Sequence, residues 1–248
     1  MRRVLTGFVA AGLLSTMAMA GGLGEMSAAE RATFRAEVRS FLIENPEVLV
    51  EAMDELRARE AVAATQRDTD VLRDQAAVIF NDPNSWVGGN PDGDITVVEF
   101  IDYRCGYCRK AQDEVAELVA SDGNIRLVVK EFPILGEESV ASSRFAIAVR
   151  QLHGDDAYHK AHEALITLRG APDPETLGRL AADMGFDPTA VLERMASDQV
   201  TQVIAANHAL ADLMEISGTP TFVIDQTLLR GYVPLDALRQ IVAEQRAG

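Results

Sequence analysis

The spacing of apolar residues divides the chain into a first part with a helical period and a second part in which strands and helices alternate. Within residues 21–80, Leu42, Leu49 and Leu56 recur every seven positions, which is the period of a coiled-coil seam. Runs of β-branched residues, which would indicate strands, are almost absent there. The pattern therefore predicts a helical N-terminal arm over residues 21–80.

Two helix starts are visible in this arm. Ser27 and Glu30 have the S-x-x-E spacing of a capping box, and Asn45 followed by Pro46 is typical of an N-cap and a first helical residue. We do not expect the arm to bury its own apolar stripe. The stripe packs either on the rest of the chain or on other copies of the arm, and we favour self-association.

Beyond the arm the pattern changes to strands. Residues 81–94 are dense in Asn, Asp, Pro and Gly, which is typical of a loop or linker. The apolar and β-branched run 95–101 predicts a buried strand. A helix over about 105–120 and a second strand, "IRLVVKEF", come next. A strand, a helix and a strand in this order predict a βαβ unit with a parallel pair and a right-handed crossover.

The rest of the chain completes a mixed sheet. A helical block over about 137–214 is followed by two strands, 219–225 and 227–233, that read as a hairpin, and by a closing helix. Without the block, this order matches a thioredoxin fold. The predicted class is therefore α/β, with a thioredoxin domain over 95–248 that carries a helical insertion at about 137–214 and is preceded by an α-helical arm.

The first twenty residues differ in composition from the rest of the chain. "MRR" is positively charged, and the apolar stretch after it ends in Ala18-Met19-Ala20. We predict a signal peptide over residues 1–20, with a retained anchor helix as the alternative, and hence a periplasmic location. The formal net charge of -15 argues against nucleic acid and anionic membranes as partners, because both attract basic surfaces.

Both cysteines of the chain, Cys105 and Cys108, lie in the stretch "DYRCGYCRK". A zinc site would need more ligands than this pair supplies, and we expect His159 and His162 to lie on a solvated helix surface rather than at a metal. A structural disulfide across so short a loop would constrain little of the unfolded chain. The spacing favours a redox-active pair, and we expect no metal and no cofactor.

The placement of Cys105 suggests how such a pair works. Cys105 directly follows a strand and opens a helix, so the backbone N–H groups of the first turn and the helix dipole favour its thiolate form. Cys108 lies one turn further on, in position to attack a mixed disulfide formed at Cys105. Arg104, Arg109 and Lys110 either add positive charge to the site or are ordinary surface residues.

The strand, the C-G-Y-C pair and the later stretch "SGTPTFVID" together resemble the DsbA-like branch of the thioredoxin superfamily, over roughly residues 95–248. The resemblance implies that Thr219 and Pro220 are joined by a cis peptide bond beside the cysteines. It also implies that Glu99 is a buried acid that exchanges a proton with Cys108, although strand alternation alone also allows an outward orientation. The expected catalytic residues are Cys105, Cys108, Glu99, Thr219 and Pro220.

The arm narrows the resemblance further. "FLIENPEVLVEAMDELRARE" is similar to the N-terminal segment of the ScsC-like (suppressor of copper sensitivity) proteins, and "VVEFIDYRCGYCRK" and "KEFPIL" fit that subfamily and the related Com-type proteins. This resemblance implies oligomerisation through the arm, and disulfide shuffling or reduction more than net oxidation. It also implies electrons from a membrane redox partner and a link to copper tolerance.

We therefore expect a periplasmic thiol–disulfide oxidoreductase that acts on cysteine-containing exported proteins. Isomerisation is favoured because several catalytic domains on one homo-oligomeric arm raise their effective concentration at one client. Two alternatives stay open at this point. One is a DsbA-like dithiol oxidase, and the other is a copper-tolerance protein that binds Cu(I) through the two thiolates.

Overall fold

The computed structural model describes residues 26–247, so the predicted signal peptide, residues 1–20, lies outside the described residues. The chain forms two compact units, with the boundary between Ala61 and Val62. The predicted boundary lay further along the chain, within residues 81–94. The first unit is the arm, and we call the second the catalytic unit, after the two cysteines expected to be redox-active that it contains.

The arm contains helix α1 (Ala28–Glu44) and the first part of helix α2 (Glu47–Asp74). The predicted capping box is confirmed, because Ser27 N donates to Glu30 Oε2 at 2.8 Å and Glu30 N donates to Ser27 Oγ at 3.3 Å. The role predicted for Asn45 is wrong. Its side chain donates to Phe41 O at 2.9 Å, and its backbone N–H donates to the same oxygen at 2.8 Å, so Asn45 closes α1.

The apolar side chains of the arm lie on its surface. No residue of α1 is buried, and Leu49 and Leu56 of α2 are each more than half exposed. A shallow apolar groove of about 470 Å³ crosses the arm. It is lined by Phe34, Arg35, Val38, Arg39, Leu42, Ile43 and Leu49.

The catalytic unit is built on a five-stranded sheet with strand order β1-β3-β2-β4-β5. Strands β2 and β3 are parallel, and the other neighbours are antiparallel. The central strand β2 is buried on both faces, as its continuous apolar sequence predicts. The strands are β1 (Trp86–Gly89), β2 (Ile95–Ile101), β3 (Ile125–Glu131), β4 (Thr221–Ile224) and β5 (Thr227–Arg230).

Helices cover the sheet and form the insertion. Asp173 and Asp187 cap two of them, accepting from Thr176 N at 2.8 Å and from Thr189 N at 2.9 Å, with proline next in the chain in both cases. Within residues 26–247 no helix has the length and apolar character that crossing a membrane requires. The remaining helices are α3 (Ala76–Phe80), α4 (Gly106–Asp122), α5 (Glu137–His153), α6 (Asp155–Thr167), α7 (Pro174–Asp183), α8 (Pro188–Met195), α9 (Asp198–Leu213) and α10 (Leu235–Ala247).

The segment 81–94 differs from the predicted loop because it contains β1. This strand pairs antiparallel with β3, and Trp86 donates its Nε1–H to Asp155 O at 3.1 Å. The strand ends in two glycines, so its second half lacks the β-branched and apolar side chains that indicate a strand in the sequence. A Cβ at Gly88 would overlap the Trp86 ring, and Gly89 has a φ of 69°. Short glycine-bearing edge strands give little sequence signal.

The predicted arm, residues 21–80, also extends too far along the chain. Leu72 of α2 and Ile79 of α3 are buried in one cluster with Val98 and Phe100 of β2. The segment from Val62 onwards therefore belongs to the catalytic unit. The apolar residues of the predicted arm that are buried, such as Leu72 and Ile79, all lie beyond that point.

Candidate active site

The two cysteines lie where the central strand passes into helix α4. Cys105 is the N-cap of α4, with extended backbone angles, and Cys108 lies in its first turn. Both are free thiols. Cys105 is 7% exposed and Cys108 is 1% exposed, so Cys105 is the one of the two that has a surface at which a partner can react.

A buried aspartate fixes the loop between β2 and Cys105. Asp102 accepts three backbone hydrogen bonds through its carboxylate, from Arg104 at 2.8 Å, Ile134 at 2.8 Å and Leu135 at 3.0 Å. Its own carbonyl accepts from Cys105 N at 3.0 Å. Asp102 was not singled out in the sequence, because the residues that it binds lie beyond another strand.

The second loop of the site contains Thr219 and Pro220. Their peptide bond is cis, as the resemblance implies, and Pro220 directly precedes β4, which pairs with β2. The Cys105 thiol donates to Thr219 O at 3.2 Å. The structure therefore brings Cys105 and Thr219 together across a long stretch of the chain.

Glu99 lies on β2 and is 3% exposed, so the outward orientation is excluded. Burial raises the pKa of Glu99 to about 8, because a charged carboxylate loses its hydration inside the protein. Burial also raises the pKa of Cys108, and the charge of Glu99 adds to this effect. An ionised Glu99 therefore disfavours ionisation of Cys108.

A cavity of about 200 Å³ adjoins Glu99. Its walls are mainly apolar and come from β1, β3 and α4, with Trp86, Val115 and Leu127 among them. Gln112 and His162 supply polar groups to the same wall. Glu99 therefore both lines this cavity and interacts electrostatically with Cys108.

The basic residues around the cysteines have structural partners. Arg104 pairs with Glu138 at 2.8 Å, and Arg109 donates to Tyr103 O at 3.0 Å and to Leu168 O at 2.9 Å. These two arginines therefore hold the insertion against the site. They are neither plain surface residues nor a free source of positive charge.

An aromatic pair, exposed Tyr107 and half-buried Tyr232, lies at the start of α4 near Cys105. Tyr107, the residue before Cys108, is 62% exposed, and its ring centroid lies 5.9 Å from that of Tyr232. Lys110 Nζ lies 4.1 Å from the Tyr232 ring centroid. Together they form an amphipathic surface beside the reactive thiol.

We expected His159 and His162 to lie on a solvated helix surface, and this prediction is wrong for His162. His162 is 5% exposed and lies between Tyr103 Oη at 3.2 Å and Gln112 Oε1 at 2.9 Å. His159 is exposed and stacks on Trp86, with ring centroids 5.4 Å apart. Within the described residues, no three His, Cys, Asp or Glu side chains come together as a metal-binding group.

A sheet of this order, with a C-x-x-C pair at a helix N-terminus beside a cis-proline, defines a thioredoxin-fold dithiol protein. Residues 96–243 match the family described as the DSBA-like thioredoxin domain, and residues 30–63 match the copper resistance protein ScsC N-terminal domain. The chain therefore belongs to the DSBA-like thioredoxin domain family of thiol–disulfide oxidoreductases, with an ScsC-type N-terminal domain.

Solved structures support this assignment. A thioredoxin-like oxidoreductase from Silicibacter pomeroyi DSS-3 is 42% identical, with a TM-score of 0.65, covering 69% of this chain and 98% of that chain. A linker-deletion mutant of Proteus mirabilis ScsC is 26% identical, with a TM-score of 0.68, covering 91% of this chain and 99% of that chain. The second likeness extends over the arm as well as the catalytic unit.

One curated relative is a much longer protein. The Na(+)/H(+) antiporter NhaA 1 of Salinispora arenicola is 31% identical over 163 residues, which is 65% of this chain and 25% of the antiporter. This chain thus spans about a quarter of the curated antiporters that it matches.

Proposed function

We propose that the protein exchanges disulfides with exported proteins in the periplasm through Cys105 and Cys108, with isomerisation favoured over net oxidation. One observation carries the proposal. Cys105 is the N-cap residue of α4 and its thiol donates to Thr219 O at 3.2 Å, while Cys108 is buried in the first turn of the helix behind it.

The exchange is a consequence of this arrangement. The thiolate of Cys105 attacks a client disulfide, so that one client sulfur joins Cys105 and the other leaves as a thiolate. A second client thiolate can then attack the mixed disulfide and restore Cys105, which completes an isomerisation. Alternatively Cys108 attacks, which releases the client reduced and leaves a disulfide between Cys105 and Cys108.

The second route needs a base for the Cys108 proton. Glu99 is the buried carboxyl coupled to Cys108, and its pKa of about 8 suits proton exchange near neutral pH. We assign Glu99 as that base when Cys108 attacks, and as the acid when the disulfide is reduced. The catalytic residues of the proposal are Cys105, Cys108, Glu99, Thr219 and Pro220.

The arm supports the preference for isomerisation. Its apolar groove and its exposed leucines have no cover within the described arm, and a patch of this kind marks an interaction surface. We propose that copies of the arm associate there, which places several catalytic units on one client. A membrane redox partner would then keep the cysteines reduced.

The periplasmic location is supported by the composition of residues 1–20, with a positively charged start and an Ala-x-Ala end. It is also the compartment in which client disulfides form and persist.

The test uses one preparation of mature protein and two substrates, scrambled and fully reduced ribonuclease. Recovery of activity from the scrambled substrate in a glutathione buffer is the expected result, and the Cys105→Ser variant should be inactive. Bond formation in the reduced substrate alone would assign a dithiol oxidase. Equal recovery of ribonuclease activity with wild type and with Cys105→Ser would contradict the proposed function.

Copper binding is the second candidate, because residues 30–63 match a domain described as belonging to a copper resistance protein. Two adjacent thiols suit Cu(I), but burial disfavours the thiolate of Cys108. Titration with Cu(I), wild type against Cys105→Ser/Cys108→Ser, separates the candidates. Binding that needs both cysteines supports this function, and binding that survives their loss excludes them as ligands.

A further inference from the structure

A cluster of buried polar side chains lies beside the active-site loop, and one of its members, His162, lines the same cavity as Glu99. At its centre is Glu131, at the end of β3, with Oε1 2.8 Å from the Tyr103 hydroxyl and 2.6 Å from the Tyr158 hydroxyl, both of which donate to it. His162 extends the cluster from α6. Glu131 is 3% exposed, and both tyrosines are as deeply buried. The proposed exchange reaction uses none of these groups.

We propose that Glu131 is a positioning residue for disulfide exchange and that it acts through Tyr103 on the loop that presents Cys105. The inference rests on the proposed function, since it concerns the same site.

Tyr103 connects the cluster to the reactive thiol because it is held at both ends. Its hydroxyl binds Glu131, and its carbonyl accepts from Arg109 Nε at 3.0 Å. Arg109 is next to Cys108 in α4, and its own N–H donates to Cys105 O at 3.1 Å. A shift of the Tyr103 ring therefore reaches the backbone on both sides of Cys105.

A second connection reaches the active-site helix from the side. His162 Nδ1 lies 3.2 Å from the Tyr103 hydroxyl, and Nε2 lies 2.9 Å from Gln112 Oε1. Gln112 lies one helical turn beyond Cys108 in α4. Burial lowers the pKa of His162 to about 4, so the ring is neutral at physiological pH.

The protons of this chain of hydrogen bonds can be placed in two ways, because tyrosine and neutral histidine both donate and accept. If Glu131 is ionised, Tyr103 donates to it and accepts from His162 Nδ1–H. If Glu131 is protonated, it donates to a tyrosine oxygen, Tyr103 donates to His162 Nδ1, and Nε2–H donates to Gln112 Oε1. Ionisation of Glu131 therefore reverses hydrogen bonds as far as α4.

Burial favours a proton on Glu131, whereas the hydroxyl groups that face its carboxyl favour the ionised form. Burial raises its pKa to about 7, against the hydrogen bonds that lower it, and the charge of Asp102 raises it further. From α5, the Ser143 hydroxyl faces the carboxyl, and Arg150 acts on the neighbouring Tyr158. Glu131 Oε2 is buried and lacks a hydrogen-bond partner in the described part of the chain, which disfavours a carboxylate there.

A matched pair of variants separates positioning from plain stability. Tyr103→Phe and Tyr158→Phe each remove one hydroxyl from the same oxygen of Glu131, but only Tyr103 is joined to the Cys105 loop. We expect Tyr103→Phe to slow the reaction of reduced protein with oxidised glutathione by about tenfold, the factor that corresponds to one hydrogen bond to a carboxyl. Tyr158→Phe should stay within about twofold of wild type. Equal effects, or none, would overturn the proposal.

The pH profile supplies the second readout. Glu131→Gln keeps an acceptor for both hydroxyls but cannot ionise, so the inflection near pH 7 that we expect in the wild-type rate should vanish. Lys130→Met is the control, since Lys130 is buried on the same strand and binds Asp82 and Ser85 instead; it should keep the inflection. An inflection that remains in Glu131→Gln would overturn the positioning role of Glu131 but not the proposed function. A wild type that does not react with the disulfide overturns the proposed function as well.

Discussion

The arm up to Ala61 and the catalytic unit that begins at Val62 use apolar residues in opposite ways. In the arm, Phe34, Leu49 and Leu56 are 45%, 51% and 55% exposed. In the catalytic unit, the apolar residues of β2 are buried on both faces. Apolar residues therefore produce a closed core in one region and an open surface in the other. The catalytic unit can fold on its own contacts, whereas the arm needs a further surface to cover its stripe.

Charged residues show the same contrast. In the arm, Arg57 pairs with Asp54 at 2.8 Å and Arg59 with Glu55 at 2.6 Å, in exposed pairs within one helix. Such pairs contribute little to stability. The catalytic unit buries Glu99 and Glu131, whose pKa values are raised to about 8 and about 7. Its stability therefore depends on pH through the interior of the sheet.

The largest expected effect is that of Glu99→Gln on this pH dependence. A carboxyl with a raised pKa keeps its proton in the folded state after the unfolded chain has lost it, so stability falls as pH rises from about 4.5 to about 8. By pH 9 the loss attributable to Glu99 is on the order of 5 kcal/mol. The Glu99→Gln variant has no carboxyl to ionise at this position. Its free energy of unfolding, measured with urea, should therefore increase relative to that of wild type as the pH rises through this range.

The control for this measurement lies in the arm. Glu51→Gln removes an exposed carboxyl, so its unfolding curve should match wild type at every pH. Ionisation of Glu131 also lowers the free energy of unfolding as pH rises, up to about pH 7. This part of the pH dependence should remain in Glu99→Gln. A Glu99→Gln variant whose advantage does not change with pH would show that Glu99 is ionised in the folded protein.

Local patterns predicted much of this contrast between the units. The continuous apolar run of β2, the capping box at Ser27 and the position of Cys105 at the start of α4 each depend on neighbours a few residues away, and all three are present in the structure. The resemblance added the cis bond before Pro220. Burial of Glu99 was implied by the same resemblance, whereas strand alternation alone also allowed an outward orientation.

The features that the sequence did not indicate depend on contacts between distant residues. Asp102 binds the backbone of Ile134 and Leu135, and Glu131 binds tyrosines from two other elements. His162 looks like a surface residue in the sequence because its partners lie on another helix and in a loop. These groups come together only when the insertion packs on the sheet. The spacing of apolar residues along the sequence carries no information about that packing.

The second prediction concerns the arm alone. Leu49 lines the apolar groove, and burying such a side chain between copies contributes about 2 kcal/mol per copy. Leu49→Asp should therefore shift sedimentation velocity profiles of mature protein towards monomer. The rate of reaction with oxidised glutathione should stay unchanged, since that reaction needs one catalytic unit. Glu60→Ala, an exposed change on the same helix, is the control and should sediment like wild type. A wild type that is monomeric at all concentrations would contradict the proposed association.

The smallest expected effect tests the boundary between the two regions, because α2 carries an Asp–Arg pair on either side of it. Asp68 accepts from Arg230 at 2.9 and 2.8 Å, and Arg230 also donates to Met214 O at 2.8 Å. Asp54 has only the exposed pair with Arg57 one helical turn away.

Asp68→Asn should lower the stability of the catalytic unit by about 1 kcal/mol, or about 2–4 °C in Tm, because a charge-assisted pair joining two elements is lost. Asp54→Asn should leave that transition in place, since exposed pairs within one helix contribute little. Differential scanning calorimetry of the mature protein measures both. Equal shifts from the two variants would mean that the helix responds as a whole, so that the boundary at Ala61 does not separate two independent regions.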